Sequence, residues 1–395
     1  MPTPISRLQV SLARCADYDP LQVQEALEAV LRPLGGMERF VRPGQQVLLK
    51  PNLLSPVPPE RAVTTHPAVV EAVARLVQQA GGRPLIADSA PASVPYTPAG
   101  LARLYQATGM AGVAARTGAE LYTAAAVVDL PCAEGRRIHR FEAIGALAEA
   151  DVVISLPKLK THALTVLTGA TKNLFGVIPG VRKMAYHVTL SRLDDFADML
   201  LDVVALAAPA LVVMDAVVGM DGDGPSAGRL FPIGLLMAST SSVAMDAIVA
   251  EVVGIPPLEV PTLRRAAERG IWSGDPAEVE VLGLPLEQAR VAGFRRPQAN
   301  PPLMDRFVPF GLGRHIRRLA LRYATRRPVP QAGRCTACGA CQQACPVQAI
   351  AIPDGLAQVD ERLCIRCYCC HEACPEEAIE LKTPRLARLL TRIRG

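Results

Sequence analysis

The sequence predicts an α/β domain of three layers with a mostly parallel sheet, followed by a small C-terminal α+β domain. Over the first 280 or so residues, short apolar runs alternate with amphipathic helical patterns, as in parallel sheets whose strands are buried on both faces. Near the C-terminus, eight of the eleven cysteines form two groups of identical spacing. The predicted divisions are an α/β domain at 1–283, a linker at 284–330, the small domain at 331–382 and a basic helix at 383–395.

The first half of the α/β domain begins with a lead-in, residues 1–46, that is helical around 21–31. An apolar strand follows at 47–50, and a helix spans 67–79 with Thr65 as its N-cap. The next apolar run, 85–88, predicts a strand, and Thr97 with Pro98 opens a helix that ends at Gly109.

The second half continues the alternation, with a predicted strand near 121–128, a helix around 141–148 and a strand at 152–156. Ser191 and Asp194 form a capping box that starts a helix running to Ala208. The apolar runs 211–215 and 233–237 predict strands, and a helix spans 243–253. In such sheets, ligands bind outside the carboxyl ends of the strands.

Charge and hydropathy limit the kinds of binding partner that the sequence predicts. Residues 311–395 carry 14 Lys and Arg against 7 Asp and Glu, a small surplus without an aromatic-interleaved basic face, so we predict no nucleic-acid partner. Two basic amphipathic patterns, 316–323 and 386–393, are interpreted as helices that pack on the protein with a solvated Arg face, so we predict no peripheral membrane contact. Without a membrane-length apolar run or a signal peptide, and with many free thiols, the sequence predicts a cytoplasmic protein with no transmembrane segment.

The cysteine groups carry the most specific signal. Each reads Cys-x-x-Cys-x-x-Cys-x-x-x-Cys-Pro, and the second begins 29 residues after the first. Three closely spaced thiolates converge on one iron–sulfur cluster, and the fourth cysteine of each group ligates the other cluster. The alternatives are zinc or disulfides, and zinc would favour paired Cys-x-x-Cys knuckles. The predicted ligands of two [4Fe-4S] clusters are Cys335, Cys338, Cys341 and Cys374 for cluster 1, and Cys364, Cys367, Cys370 and Cys345 for cluster 2.

The two groups form an internal repeat, which also matches at Ala349 and Ala378 and at Ile350 and Ile379. The apolar tails 349–352 and 378–381 are the predicted short strands. Residues 331–381 resemble a bacterial two-cluster ferredoxin, and the resemblance implies one-electron transfer at low potential. Cys369 has no counterpart in the first half of the repeat and is interpreted as a small buried residue rather than a ligand.

Polar residues concentrate after the predicted strand 152–156. Four lysines and two histidines within thirty residues, together with several glycines, predict a loop that receives an anion, the alternative being an ordinary solvated loop. Lys50, Asn52, His66 and Asp88 follow two other strands and are expected near the same edge. Neither a dinucleotide fingerprint nor a phosphate loop is present.

The blocks at 50–52, 156–162, 171–176 and 179–187 resemble those of the domain of unknown function 362 family over about 45–255. Members of that family are often fused to a ferredoxin-like segment, and the resemblance implies the location of a site rather than a substrate. The matched positions of this resemblance provide nine candidate site residues. Lys50 and Asn52 are candidates for cofactor binding. The other seven are candidates for catalysis or ligand contact: Lys158, Lys160, His162, Lys172, Asn173, Lys183 and His187.

Three hypotheses for function follow. The first is an iron–sulfur protein whose clusters relay single electrons to or from a ligand or cofactor in the α/β domain, with a redox partner protein and a small anionic ligand as partners. The second is a plain electron carrier that uses the α/β domain as a docking scaffold. The third is a ligase or transferase with structural or sensory clusters. Whether the chain is an oxidoreductase stays open.

Overall fold

The architecture is that of an α/β domain with a small second domain packed against it. The computed structural model describes residues 8–89, 91–297 and 325–384. The predicted basic helices at 316–323 and 386–393 lie outside these residues.

The α/β domain contains a ten-stranded sheet among the described residues. Its strands are β1 Gln9–Arg14, β2 Gln46–Pro51, β3 Arg83–Ile86, β4 Glu120–Leu121, β7 Val152–Leu156, β8 Lys158–His162, β9 Val166–Thr168, β10 Leu211–Asp221, β11 Arg229–Ser239 and β12 Glu280–Gly283, with β5 Val127–Pro131 and β6 Arg140–Ile144 forming a separate hairpin. The order across the sheet is β12-β1-β11-β10-β7-β2-β3-β4, and β8 pairs with β10 and β9. Neighbours are parallel except at β11 and β9, which confirms the predicted mostly parallel sheet.

Helices cover both faces of this sheet. They are α1 Pro20–Leu31, α2 Pro67–Gln79, α3 Pro98–Ala107, α4 Met110–Thr117, α5 Gly145–Glu149, α6 Ala170–Asn173, α7 Gly180–Thr189, α8 Leu193–Ala207, α9 Ser242–Val252, α10 Pro261–Glu268 and α11 Leu286–Ala289. Successive residues of β2 point to opposite faces: Leu49 packs into the core under α1 to α4, and Leu48 into the core under α8. The third core lies under α9 and α10.

Several local predictions differ from the structure. The N-cap of α2 is His66 rather than Thr65, because the His66 Nδ1 accepts the N–H of Ala68 while the Thr65 hydroxyl donates to Leu156 O. The predicted strand near 121–128 is interrupted between β4 and β5. Residues 140–144 form strand β6, so the predicted helix is confined to α5.

One predicted helix cap is wrong, and one strand was not predicted. Helix α8 is capped at Arg192 without a side-chain hydrogen bond, so Ser191 and Asp194 do not form a capping box. The lead-in contains the unpredicted strand β1, which joins the sheet between β11 and β12. Its sequence, QVSLAR, has no continuous apolar run, and long-range pairing rather than local pattern makes it a strand.

The small domain has the two predicted short strands, each paired with a different partner. Strand β14, Ile350–Ala351, pairs with β15, Gln358–Val359, and β16, Ile379–Lys382, pairs with β13, Arg327–Pro330. Residues 327–330 were assigned to the linker from sequence, and this pairing makes them part of the small domain. The helices α12, Ala340–Gln343, and α13, Cys369–Ala373, each contain the third cysteine of a repeat half.

An interdomain pocket and two four-cysteine cavities

The Lys/His-rich segment after β7 is a strand, not the loop that the sequence predicts. Pro157 ends β7, and the chain continues as β8 alongside the long strand β10, pairing Lys158 with Asp215 and Lys160 with Met220. All five residues of β8 are buried. The lysines of this strand therefore lie inside the protein and need partners there.

Two of the predicted site lysines form buried ion pairs. Lys50 Nζ donates to Asp88 Oδ1 at 2.8 Å, and Lys158 Nζ donates to Asp215 Oδ2 at 2.9 Å. Burial lowers the pKa of both lysines, and the facing carboxylates oppose that shift. A Cβ on Gly176 would collide with Lys50 and Asp88, so only glycine fits beside this pair. Each pair neutralises its own charge.

Lys160 is the buried lysine without such a partner. Its Nζ donates to Asn52 Oδ1 at 2.8 Å and to the Val63 carbonyl at 2.6 Å, and among the described residues no carboxylate lies within ion-pair distance. Burial, together with the positive charge of Lys158, lowers the pKa of Lys160 to about 7. Its charge is therefore set by small changes in its surroundings.

Lys160 faces a pocket that both domains line. The pocket has about 820 Å³ of empty space, counting solvent at its mouth. Seven of the nine candidate residues line it: Asn52, Lys160, His162, Lys172, Asn173, Lys183 and His187. Lys50 and Lys158 do not, and His66 instead stacks on Tyr18 with ring centroids 3.6 Å apart. The small domain adds Ala344, Cys369, Glu372 and Ala373.

Helix α6 brings Lys172 and Asn173 to the pocket. Asp246 on α9 holds the start of α6 by accepting the N–H groups of Ala170 at 2.6 Å and Thr171 at 3.0 Å. Asn173 anchors the other end, since its Nδ2 donates to Lys50 O and Ser155 Oγ. These contacts fix the side chains of α6 relative to the sheet edge.

The charge of the pocket is predominantly positive. Lys172 and Lys183 approach from α6 and α7, and burial lowers the pKa of Lys183 to about 8. His187 stacks on Phe196 with centroids 4.6 Å apart, and burial lowers its pKa to about 4, so it is neutral at pH 7. Two carboxylates also line the pocket: Asp88, which is paired with Lys50, and Glu372, which opposes the positive charge. The arrangement fits a ligand that carries negative charge.

His162 and Glu372 meet across the boundary between the domains. His162 Nδ1 accepts the N–H groups of Leu164 and Thr165, which places the ring proton of the neutral form on Nε2. That Nε2 lies 3.1 Å from Glu372 Oε1. Burial lowers the pKa of His162, while for Glu372 the effects of His162 and Lys172 outweigh burial and hold the pKa well below its ordinary value.

Further contacts fix the small domain on the α/β domain. Arg326 Nη1 donates to Asp223 Oδ1 at 2.9 Å, and Ser226 Oγ donates to His371 O at 3.1 Å. Tyr368 packs in an apolar cluster with residues of both domains. The pocket thus lies in a defined interface rather than beside a loosely tethered module.

The eight motif cysteines surround two cavities in the small domain, each with about 310 Å³ of empty space counted in the same way. Cavity 1 is lined by Cys335, Cys338, Cys341 and Cys374, and cavity 2 by Cys345, Cys364, Cys367 and Cys370. Among the described residues, no three ligand-type side chains converge on a single metal ion. Spread thiolates around a cavity fit a cluster in which each iron takes one cysteine, as opposed to one tetrahedral zinc.

Backbone N–H groups reach the fourth cysteine of each repeat half in the same way. Ala349 N donates to Cys345 Sγ and Ala378 N donates to Cys374 Sγ, both at 3.2 Å. Hydrogen bonds to ligand sulfur raise the reduction potential of a cluster because they stabilise its more negative reduced form. The residues present fit two [4Fe-4S] clusters.

Sequence reasoning missed Glu372 and the pocket-lining position of Cys369. A signal for both was present in the repeat. With the halves in register, four positions differ between the second and fourth cysteines: Tyr368, Cys369, His371 and Glu372 replace Gly339, Ala340, Gln342 and Gln343. All four second-half residues lie at the interface or line the pocket. The departures from repeat symmetry mark the surface that packs on the α/β domain.

Fold and site together define a class of protein: an α/β domain with an interdomain pocket, joined to a domain with two four-cysteine cavities. Residues 47–251 match the family model described as domain of unknown function (DUF362), and residues 327–375 match a 4Fe-4S dicluster domain. The chain belongs to the DUF362 family and carries a fused dicluster domain, which confirms the predicted fusion and supports iron–sulfur binding.

A curated relative is the thylakoid-associated protein sll1697 of Synechocystis, 36% identical over 321 residues that cover 78% of this chain and 92% of the relative. Solved structures with some similarity include the lactate racemase apoprotein of Thermoanaerobacterium thermosaccharolyticum, at 16% identity and a TM-score of 0.35, covering 61% of this chain. Another is a Thermotoga maritima protein, at 12% identity and a TM-score of 0.32, covering 58% of this chain. The chain spans 57% of each of these two structures, and scores this low support no inference of function. No helix within the described ranges is long and apolar enough to cross a bilayer.

Proposed function

We propose that this is an iron–sulfur electron-transfer protein whose dicluster domain relays single electrons to or from a small anionic ligand or cofactor in the interdomain pocket. The observation that carries the proposal is that both domains line this pocket. A docking scaffold needs no such cavity at its contact with the electron-carrying domain. When bound, the two clusters supply single electrons at low potential.

Helix α13 supports the proposal by facing both kinds of site. Cys370 lines cavity 2, and Cys374, directly after the helix, lines cavity 1. Cys369, Glu372 and Ala373 of the same segment line the pocket. This short segment is therefore a wall that the pocket shares with both cysteine cavities.

The pocket residues would bind and orient the ligand. Lys172 and Lys183 supply positive charge from two helices, and Lys160 adds a buried donor from the sheet edge. The neutral imidazole of His162 presents its Nε2 proton toward the same space. Walls from both domains limit water at the ligand, which strengthens these interactions.

Paramagnetic resonance of anaerobically isolated protein tests the proposal. We expect about eight irons per chain and, after reduction, the spectrum of two interacting [4Fe-4S] centres. Malonate, a small dianion, should change that spectrum when it enters the pocket. The change should disappear in the double variant Lys172→Met/Lys183→Met and remain in Lys382→Met, because Lys382 lies on β16 away from the pocket.

Two other results would support the other hypotheses. Clusters that form normally but never respond to a pocket anion would favour a plain electron carrier with the α/β domain as scaffold. A cluster-free protein that stays folded and catalyses a group-transfer reaction would favour structural or sensory clusters. One zinc per motif in place of iron and sulfide would contradict all three.

A further inference from the structure

The buried lysines of the α/β domain differ in one respect that points to ligand chemistry. Lys50, Lys158 and Lys160 are each at most 1% exposed. Lys50 and Lys158 have a carboxylate at 2.8 and 2.9 Å, whereas Lys160 has only two neutral oxygen acceptors. The lysine that lacks a carboxylate is also the one of the three that lines the pocket. A buried ammonium without a counter-ion is unstable, so Lys160 is either neutral or completed by a ligand.

Lysine is rare in this chain and is concentrated at the pocket. It contains 36 arginines but only six lysines, and five of the six lie in or directly behind the pocket: Lys50, Lys158, Lys160, Lys172 and Lys183. Arginine stays protonated in proteins, whereas a buried lysine gains and loses its proton readily. Elsewhere the chain meets its need for positive charge almost entirely with arginine. The lysines at the pocket, unlike arginines, can gain or lose a proton.

Unsatisfied polar atoms in the pocket give a second, independent observation. Among the described residues, four buried atoms that line it have no hydrogen-bond partner: Ser89 Oγ, Thr168 Oγ1, His162 Nε2 and Glu372 Oε1. His162 Nε2 and Glu372 Oε1 are 3.1 Å apart but not aligned for a hydrogen bond. Ser89 is 1% exposed, and a buried hydroxyl that lacks a hydrogen-bond partner destabilises the protein. Three of the four atoms belong to donor groups, and oxygens of a ligand would satisfy them.

We propose that the pocket binds the oxyanion group of a small ligand, a carboxylate or a phosphate, and that Lys160 takes up one proton from solvent to become its counter-ion. The proposal rests on the proposed function, because it concerns the same pocket, and it adds the chemical group and the proton. The neutral amine of Lys160 gains a proton and the anion keeps its charge, so no bond of the ligand is broken and no oxidant or reductant is consumed.

The charges around Lys160 set the direction of this proton uptake. Lys158 and Lys172 act with burial to lower its pKa, and Glu372 and Asp88 act to raise it. An anion in contact with Nζ adds a further negative charge and raises the pKa again. Above pH 7 the free amine is largely neutral, so binding there takes up protons.

Calorimetry of the anaerobic holoprotein at pH 8 tests the proposal, with sulfate and malonate as probes. Neither anion titrates at this pH, so any proton taken up binds to the protein. Titrations in two buffers with different ionisation enthalpies should show uptake of about one proton per bound anion. The tighter of the two probes indicates whether the pocket prefers a tetrahedral or a planar oxyanion.

Three variants test which residue takes up the proton. Lys160→Met should abolish most of the uptake and weaken binding at least tenfold, and its cluster absorbance reports whether it has folded. Lys183→Met should keep the uptake due to Lys160, and Lys382→Met should behave as the wild type. As a measurement on the unaltered protein, affinity should fall about tenfold per pH unit above pH 7.

Binding without proton uptake, or a folded Lys160→Met variant that takes up as many protons as the wild type, would overturn the inference about Lys160. Neither result would remove the proposed electron relay, which is judged by the response of the clusters to the bound anion. Failure of both anions to bind at millimolar concentration would overturn the oxyanion site itself.

Discussion

His162 and Glu372, one from each domain, place an imidazole nitrogen and a carboxylate oxygen 3.1 Å apart at the edge of the interdomain pocket. Glu372 is the carboxylate from the dicluster domain that lines this otherwise cationic pocket. It therefore repels any anion that binds there. Its contact with His162 also ties the charge of the pocket to the docking of the two domains.

The first prediction follows from that repulsion. Glu372→Gln should tighten malonate binding several-fold at pH 6, because the variant lacks the carboxylate that repels the anion. Loss of Glu372 also lowers the pKa of Lys160, and the low pH limits how much proton uptake reduces the gain. Glu380→Gln, on the partly exposed face of β16, should leave the affinity unchanged. Calorimetry on the anaerobic holoprotein measures both. Weaker binding in Glu372→Gln would show that this carboxylate helps to hold the ligand instead of opposing it.

The second prediction concerns cluster ligation, using two cysteines of the same segment. Cys374 lines cavity 1, whereas Cys369 lines the interdomain pocket. Cys374→Ala should lose cluster 1 and about half of the iron, while Cys369→Ala should keep about eight irons per chain. Iron and sulfide analysis of anaerobically purified variants measures this. Equal iron loss in both variants would contradict the predicted ligand set.

The third prediction tests the buried pair behind the pocket. Lys50→Met leaves Asp88 without its cation, and breaking a buried pair costs about 3–5 kcal/mol. The double variant Lys50→Met/Asp88→Leu removes the stranded charge and should lose less than the two single variants added together. Anaerobic denaturation can be followed by fluorescence of Trp272, the single tryptophan, which lies in the core of the α/β domain. Strict additivity would mean that the two side chains do not stabilise each other.

The fourth prediction is a pH dependence of stability. Burial lowers the pKa of His187 to about 4 from an unfolded value of 6.5, so the unfolded chain binds a proton that the folded chain excludes. The unfolding free energy should fall as the pH drops from 6.5 towards 4, by up to about 1.4 kcal/mol per pH unit from this group. His187→Phe should reduce that slope, and His139→Phe, at an exposed position, should not. Unchanged slopes in both variants would contradict the assignment.

Much of the fold was predictable because its signals are local. Helix α2 has the predicted bounds, 67–79, since an apolar stripe at helical spacing is followed by two glycines. Strand β7 likewise matches the apolar run 152–156. Strand β1 and the strand β13 of the small domain were not predicted. Their short sequences become strands through pairing with β11 and β16, more than 200 and about 50 residues away in the chain.

The candidate site was predictable in part for the same reason. The sequence predicts which segments approach the edge of the sheet, and seven of the nine candidate residues line one pocket. It does not predict that Lys50 and Lys158 are paired behind the pocket, because Asp88, just after β3, and Asp215, on β10, are distant from them in the chain. Nor does a local pattern reveal that the dicluster domain closes the pocket, although the two halves of the cysteine repeat differ at the residues that contact the α/β domain.

The central claim is that the clusters and the pocket act on each other, and potentiometric titration of the holoprotein with and without malonate tests it most directly. A bound anion on the other side of the segment 369–374 disfavours the more negative reduced form of the clusters, so it should lower a midpoint potential by roughly tens of millivolts. By linkage, reduction of the clusters must weaken anion binding by the same free energy. The account predicts this shift in the wild type and its loss in Lys172→Met/Lys183→Met. Saturating malonate that moves neither potential would contradict it.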